Sequence, residues 1–110
     1  MNARLLVLGV LHRGNFHPYE IKRRLEAAMV ECYIDVDVGT LYYAVRQLEK
    51  DKLIEAVAEE RVARGGMRRI YRITDAGRAV YRRNVAAWVA TRDVIDSLLR
   101  TDRTDKDTPR

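Results

Sequence analysis

Apolar positions along this chain recur with a period that changes from element to element. From Val38 to Lys50, the residues Leu41, Ala44, Val45 and Leu48 fall at i, i+3, i+4 and i+7, the spacing of one buried stripe on a helix. Asp37 precedes that helix as a cap, because its carboxylate accepts backbone N–H groups that have no partner in the first turn. Thr40, Tyr42, Tyr43, Arg46 and Gln47 are left for the outer surface. They gather polar, aromatic and cationic groups near the helix N-terminus, where the dipole favours phosphate. That is also the end a DNA-recognition helix places in the major groove. Taken alone the pattern is that of an ordinary amphipathic helix, and the neighbouring elements decide between the two.

Residues 5–11 are apolar throughout, broken only by Gly9. A helix apolar all round needs cover on more than one side, and in a small domain another subunit supplies it. Gly9 would then let a neighbouring backbone approach closely. A buried strand is the competing reading, which periodicity does not separate from a helix over so short a run. Arg13-Gly14-Asn15 signals a turn, and Pro18 suits a first helical position, where its missing N–H costs nothing. Ile21, Leu25 and Ala28 or Met29 form the stripe of this second helix, with Tyr19, Lys22, Arg23 and Glu26 outward. Residues 33–36 alternate as a short strand does. Residues 53–62 and 68–74 read as two strands joined by a turn holding Gly65 and Gly66, with Tyr71 and Ile73 on one face. Helix, helix, short strand, helix, hairpin is the order of a winged helix-turn-helix domain.

Thr74 caps a last helix, with Asp75 in its first turn. Tyr81, Val85, Trp88, Arg92, Ile95 and Leu99 recur at alternating spacings of four and three, a coiled-coil seam that Arg92 interrupts. A helix of about 25 residues is ~37 Å long, more than so small a domain covers, so a two-fold dimer is expected, with the last helices and the first at the interface. The expected fold is mainly α with a small β-hairpin wing: a winged helix-turn-helix domain over residues 1–74, a dimerisation helix over 75–100, and a polar, disordered tail over 101–110.

The chain's 110 residues, 47% of them hydrophobic, suit one domain with a modest core. The net charge is +5 and the isoelectric point about 9.7. Residues 59–72 hold five arginines against two glutamates, a cluster suited to a polyanion, either nucleic acid or an acidic lipid surface, or simply to a solvated loop. The single cysteine, Cys32, precludes an internal disulfide and a multi-cysteine zinc site and is read as structural. His12 and His17 lie in different elements without ligand spacing, so no metal is implied, and both are read as cap or surface residues. No cofactor is implied either. No nucleophile, base and orienting group occur as a set, which argues against an enzyme. With no signal-peptide pattern and no apolar run near the ~20 residues that span a bilayer, a cytoplasmic location without membrane contact is expected.

Residues 5–11, His17-Pro18-Tyr19-Glu20-Ile21, Gly39-Thr40-Leu41-Tyr42 with Leu48-Glu49, Leu53-Ile54, and Tyr71-Arg72-Ile73-Thr74-Asp75-Ala76-Gly77-Arg78 follow one another in an order and spacing that resembles the PadR family of transcriptional regulators. The resemblance covers residues 4 to about 99. It implies a winged-helix repressor, dimeric through its last helix, of the short subgroup. In some multidrug-sensing members a tryptophan midway along that helix faces its dimer mate across a pore for flat aromatic compounds, and Trp88 falls at a matching position. Family members often have glycine where this chain has Pro18, and many have proline where it has Tyr43, so groove contacts are expected to differ in detail.

The residues expected to meet DNA are Thr40, Tyr42, Tyr43 and Arg46 on the recognition helix, Arg64, Arg68 and Arg69 at the wing, and Lys22 and Arg23 on the second helix. The resemblance places Thr40 and Tyr42 at family positions that touch the DNA backbone, where hydroxyls fix register, and Arg46 is expected to reach a guanine edge. The alternative for Tyr42 is packing under the hairpin, and for Arg69 a strand alternation that turns it away from DNA. Leu5, Leu8, Val85, Trp88, Val89, Arg92, Ile95 and Leu99 are assigned to a dimer interface or effector site, with Trp88 either packing there or stacking on a ligand. The expected function is a dimeric, sequence-specific regulator of double-stranded DNA, bound to an inverted-repeat operator. It would be a repressor released by a small aromatic effector. The alternative is a winged-helix module that docks an acidic protein without specific DNA binding.

Overall fold

The computed structural model describes residues 2–28 and 37–107, with side chains to residue 100. The expected strand over 33–36, Cys32 and Met29 lie outside the described residues. The elements are α1 (Ala3–Leu11), α2 (Pro18–Ala28), α3 (Val38–Lys50), β1 (Ile54–Arg61), β2 (Met67–Ile73) and α4 (Asp75–Asp107). The first apolar run is therefore a helix, and its N-cap is Asn2, whose side chain accepts from the Leu5 N–H at 3.1 Å.

One core forms where these elements meet. It joins Val7, Leu8 and Leu11 of α1, Ile21 and Leu25 of α2, the Leu41, Ala44, Val45 and Leu48 stripe of α3, and Ile54, Tyr71 and Ile73 of the hairpin. Leu8 is wholly inside this core, so it does not reach an interface with another subunit. Ala28 is exposed, which leaves Ile21 and Leu25 as the buried stripe of α2. Gly9 makes room for a side chain rather than a backbone: a Cβ there would meet the Tyr81 ring of α4 at 3.2 Å.

Asp37 caps α3 through two contacts with Thr40, accepting from its backbone N–H at 2.9 Å and from its hydroxyl at 2.6 Å. These hydrogen bonds hold the Asp37 carboxyl below its ordinary pKa of 3.8. The C-terminus of α3 is closed by a Schellman turn. Lys52 takes a left-handed φ of 61°, its N–H reaches the Glu49 carbonyl at 3.0 Å, and the Leu53 N–H reaches the Leu48 carbonyl at 2.9 Å. Leu48 and Leu53, both buried, form the apolar contact that accompanies this turn.

β1 and β2 pair antiparallel, with Ile54 opposite Ile73 and Arg61 opposite Met67, and the register shifts between Ala56 and Ala58. Phe16 bridges the other edge of β2 through two hydrogen bonds with Tyr71, at 3.2 and 3.0 Å. Thr74 then joins three elements. Its N–H reaches the Leu53 carbonyl at 3.0 Å, its hydroxyl donates to the Lys52 carbonyl at 2.8 Å and, as the cap of α4, accepts from the Gly77 N–H at 3.0 Å.

α4 has 33 residues and rises roughly 50 Å at 1.5 Å per residue. It continues to Asp107, so residues 101–107 are helical where a disordered tail was expected. A helix already nucleated extends readily through residues that are not glycine or proline, and Pro109 is the first of those after Gly77. From residue 90 to residue 100 every side chain is exposed.

Two outcomes follow. A Cβ at Gly77 would overlap the Leu53 carbonyl and meet Ile73 Cγ1 at 2.8 Å, so Gly77→Ala is expected to lower stability by about 3 kcal/mol, read by chemical denaturation. An unchanged midpoint would show that α4 seats otherwise. Because the Asp37 pKa is lowered in the folded chain, its contribution is complete well above the ordinary value of 3.8 and drains away as pH falls through the lower folded value. The melting-temperature gap between the wild type and Asp37→Ala is expected to narrow below that pH. A gap constant through the whole acid range would contradict the cap.

Candidate nucleic-acid interface

α3 turns Thr40, Tyr42, Tyr43 and Arg46 away from the core, as its stripe requires. Tyr43 is 59% exposed and Tyr42 39%, so Tyr42 does not disappear beneath the hairpin. Its ring lines an open cleft of about 450 Å³ between the start of α2, the outer side of α3 and the wing. Arg46, Tyr19, Met67 and Arg68 line the same cleft. The positive end of α3 is less available than its position suggests. Asp37 already takes the Thr40 N–H and the Thr40 hydroxyl proton. Thr40 can offer only lone pairs outward, and its neighbouring carboxylate repels phosphate.

The wing's arginines divide by partner. Arg72 pairs with Glu55 across the hairpin. Arg69 shares the inward face of β2 with Tyr71 and Ile73, and it pairs with Glu49 of α3 at 3.3 Å. The other oxygen of Glu49 accepts from the Tyr71 hydroxyl at 3.4 Å, and the Arg69 guanidinium stands 5.7 Å from the Tyr71 ring centre. Burial, and then the Glu49 charge, push the Tyr71 phenol up from its ordinary value of 10.0. Arg69 thus clamps the wing to α3. Half-exposed as that pair is, it contributes only ~0–1 kcal/mol and matters more for the wing's angle. On α2, Lys22 pairs with Glu26 at 3.0 Å and Arg23 with Glu20 at 3.3 Å.

That leaves Arg46 of α3 and Arg61, Arg64 and Arg68 of the wing with no carboxylate partner among the described residues, and all four are exposed. Arg68 instead faces His17, 3.2 Å from its Nε2. His17 was read from the sequence as a cap or surface residue. It is indeed the cap of α2, with Nδ1 accepting from the Glu20 N–H at 3.2 Å. The His-x-x-Glu spacing ahead of an apolar stripe is the local signal of that cap. Nothing local signals the contact with Arg68, fifty-one residues away.

On the opposite side, α1, the end of α2 and α4 border a larger groove of about 820 Å³. Leu5, Leu6, Val10, Tyr81, Val85 and Trp88 line it. Trp88 is 56% exposed, with the Arg92 guanidinium 5.5 Å from its ring centre. Val85 and Val89 are half-buried, whereas Ile95 and Leu99 stand in the open with Val94 and Leu98. No helix among the described residues is long and apolar enough to cross a membrane, and no three potential metal ligands cluster among them.

Residues 7–83 match the model of the transcriptional regulator PadR-like family. The chain is similar to Uncharacterized protein X of Lysinibacillus sphaericus, 30% identical over 91 residues that span 83% of this chain and 82% of that protein. Over 44 residues, 40% of this chain and 39% of the relative, it is 52% identical to Transcriptional regulator Rv3488 of Mycobacterium tuberculosis. Among solved structures it is similar to a transcriptional regulator from Clostridium thermocellum, with 28% identity, a TM-score of 0.75, and coverage of 86% of this chain and 87% of that one. A PadR-like transcriptional regulator from Bacillus cereus has the same fold at 23% identity, a TM-score of 0.72, and coverage of 87% and 89%. With the family match spanning most of a chain already built as helices around a winged hairpin, this protein belongs to the PadR-like family of transcriptional regulators, which are not enzymes.

Proposed function

We propose that the chain is a sequence-specific DNA-binding repressor that works as a two-fold dimer and is released by a small aromatic effector beside Trp88. The observation that carries the DNA reading is the cleft in which Arg46 of α3 and Arg68 of the wing stand together, exposed and without carboxylate partners among the described residues. Arg46 lies on the face that enters a major groove and reads a base edge, while Arg64 and Arg68 at the wing take phosphates. Tyr42 and Tyr43 add stacking surface and hydroxyls nearby.

The dimer reading rests on the apolar stripe of α4. Trp88, Val94, Ile95, Leu98 and Leu99 are 51–61% exposed, a long apolar surface for one small domain to leave in water. An effector seated between α4 and α1 alters the angle between subunits, and it does so only by binding one arrangement more tightly than the other.

Fluorescence anisotropy against a duplex selected by the protein from a random pool, compared with a scrambled duplex, tests this reading. The selected duplex is expected to bind ~10³-fold or more tightly. Arg46→Ala is expected to cost ~1–3 kcal/mol on the selected duplex and to relax its preference at one position. Arg64→Ala is expected to weaken all duplexes alike and to lower the salt slope by about one. Equal binding to both duplexes would instead favour an acidic protein as the wing's partner. Ile95→Asp places a charge in the α4 stripe and is expected to give a monomer in analytical ultracentrifugation, whereas an intact dimer would move the interface elsewhere.

A further inference from the structure

We propose that His17 and Arg68 together seat one DNA backbone phosphate, at the junction of α2 and the wing. The inference rests on the DNA-binding reading above and assigns a contact to a histidine that the sequence marks only as a cap.

His17 Nδ1 accepts from the Glu20 N–H at 3.2 Å, so that nitrogen carries no proton. The ring's hydrogen is therefore on Nε2. Nε2 lies 3.2 Å from Arg68 Nη1, and a guanidinium nitrogen is also only a donor. Two N–H groups facing each other form no bond. An oxygen placed beside them accepts from both at the ordinary distance of ~2.9 Å. The oxygen such a pair recognises best is anionic, because one donor carries full charge.

Two of the nearby carboxylates are engaged elsewhere, Glu20 with Arg23 at 3.3 Å and Arg24 at 3.2 Å, and Glu49 with Arg69 at 3.3 Å. Glu60 stands opposite Arg68 in the strand register but forms no ion pair with it, so Arg68 keeps its charge for an anion. Arg46 lines the same cleft, as do Tyr19 and Tyr42. The two donors are also held in place before any ligand arrives. Phe16, next to His17, is bonded twice to Tyr71, three residues beyond Arg68 on β2. Tyr19 stacks on the His17 ring, with centres 6.5 Å apart and planes 17° from parallel. A seat on a prebuilt ribbon loses little ordering entropy on binding. It would fix the height of α3 in the groove without reading sequence.

The test compares the full chain with His17→Ser, Arg68→Gln and the double variant, on any duplex the wild type binds, across a salt series. Serine keeps an N-cap oxygen but is too short to reach Arg68. His17→Ser is expected to melt near the wild type, to bind every duplex roughly tenfold more weakly, and to leave the salt slope unchanged, since it removes a neutral donor. Arg68→Gln is expected to weaken binding and lower the slope by about one. The double variant should lose less than the product of the two single losses, because both serve one phosphate. Singly methylphosphonate-substituted duplexes give a readout on unaltered protein: one backbone position should weaken the wild type and leave Arg68→Gln much less affected. His17→Ser binding like the wild type, or losses that multiply fully, would overturn the seat while leaving the DNA reading standing. A wild type that binds no duplex even at low salt would overturn the DNA reading and the seat together.

Discussion

The short turn after α3 is the point on which the rest of the molecule depends. Leu53 donates to Leu48 to end α3 and begins the wing, and its carbonyl receives the Thr74 N–H at the start of α4. Gly77 presses against that same carbonyl, leaving no room for a Cβ. Three elements with different tasks are thereby fastened within a few residues of one another. α3 is thus tied to the wing, and both are tied to α4. Hydrogen bonds of this kind each contribute only ~1 kcal/mol net, but buried among Leu48, Ile54 and Ile73 they are costly to leave unmade. For a regulator, that rigidity is what would let a change at the far helix be felt at the DNA face.

The surface charge is sorted with the same economy. A net charge of +5 says little by itself, because several cations on α2 and the wing are tied to carboxylates. Glu49 holds Arg69 and Tyr71 and sets the wing against α3. Arg72 holds Glu55 across the strands. Arg46 of α3 and Arg64 and Arg68 of the wing are left exposed without carboxylate partners among the described residues. Asp37, which caps α3, occupies the Thr40 N–H and hydroxyl with its own carboxylate, so the proposed phosphate contacts rest on side chains.

Much of this was legible in the sequence, for physical reasons. The stripe of α3, the Gly65-Gly66 turn and the Thr74 cap are local patterns, and each lies where local chemistry places it. The alternation of Arg69, Tyr71 and Ile73 signals that Arg69 shares their face, but not that Glu49 waits there. Leu8 differs from Leu5 only in which side of α1 the core covers, which a uniformly apolar run does not reveal. The extension of α4 through residues 101–107 was hidden because a polar stretch resembles a tail unless a helix already runs into it. The meeting of His17 and Arg68 depends on the Phe16–Tyr71 bridge, a contact across the whole domain that no local spacing encodes.

Hydroxyl-radical footprinting on the selected duplex shows whether two copies of this winged helix sit on one operator with their recognition helices paired. The expected result is two patches of backbone protection related by a dyad, one helical turn or ~34 Å apart. A single protected patch without symmetry, or uniform protection along the duplex, would contradict it.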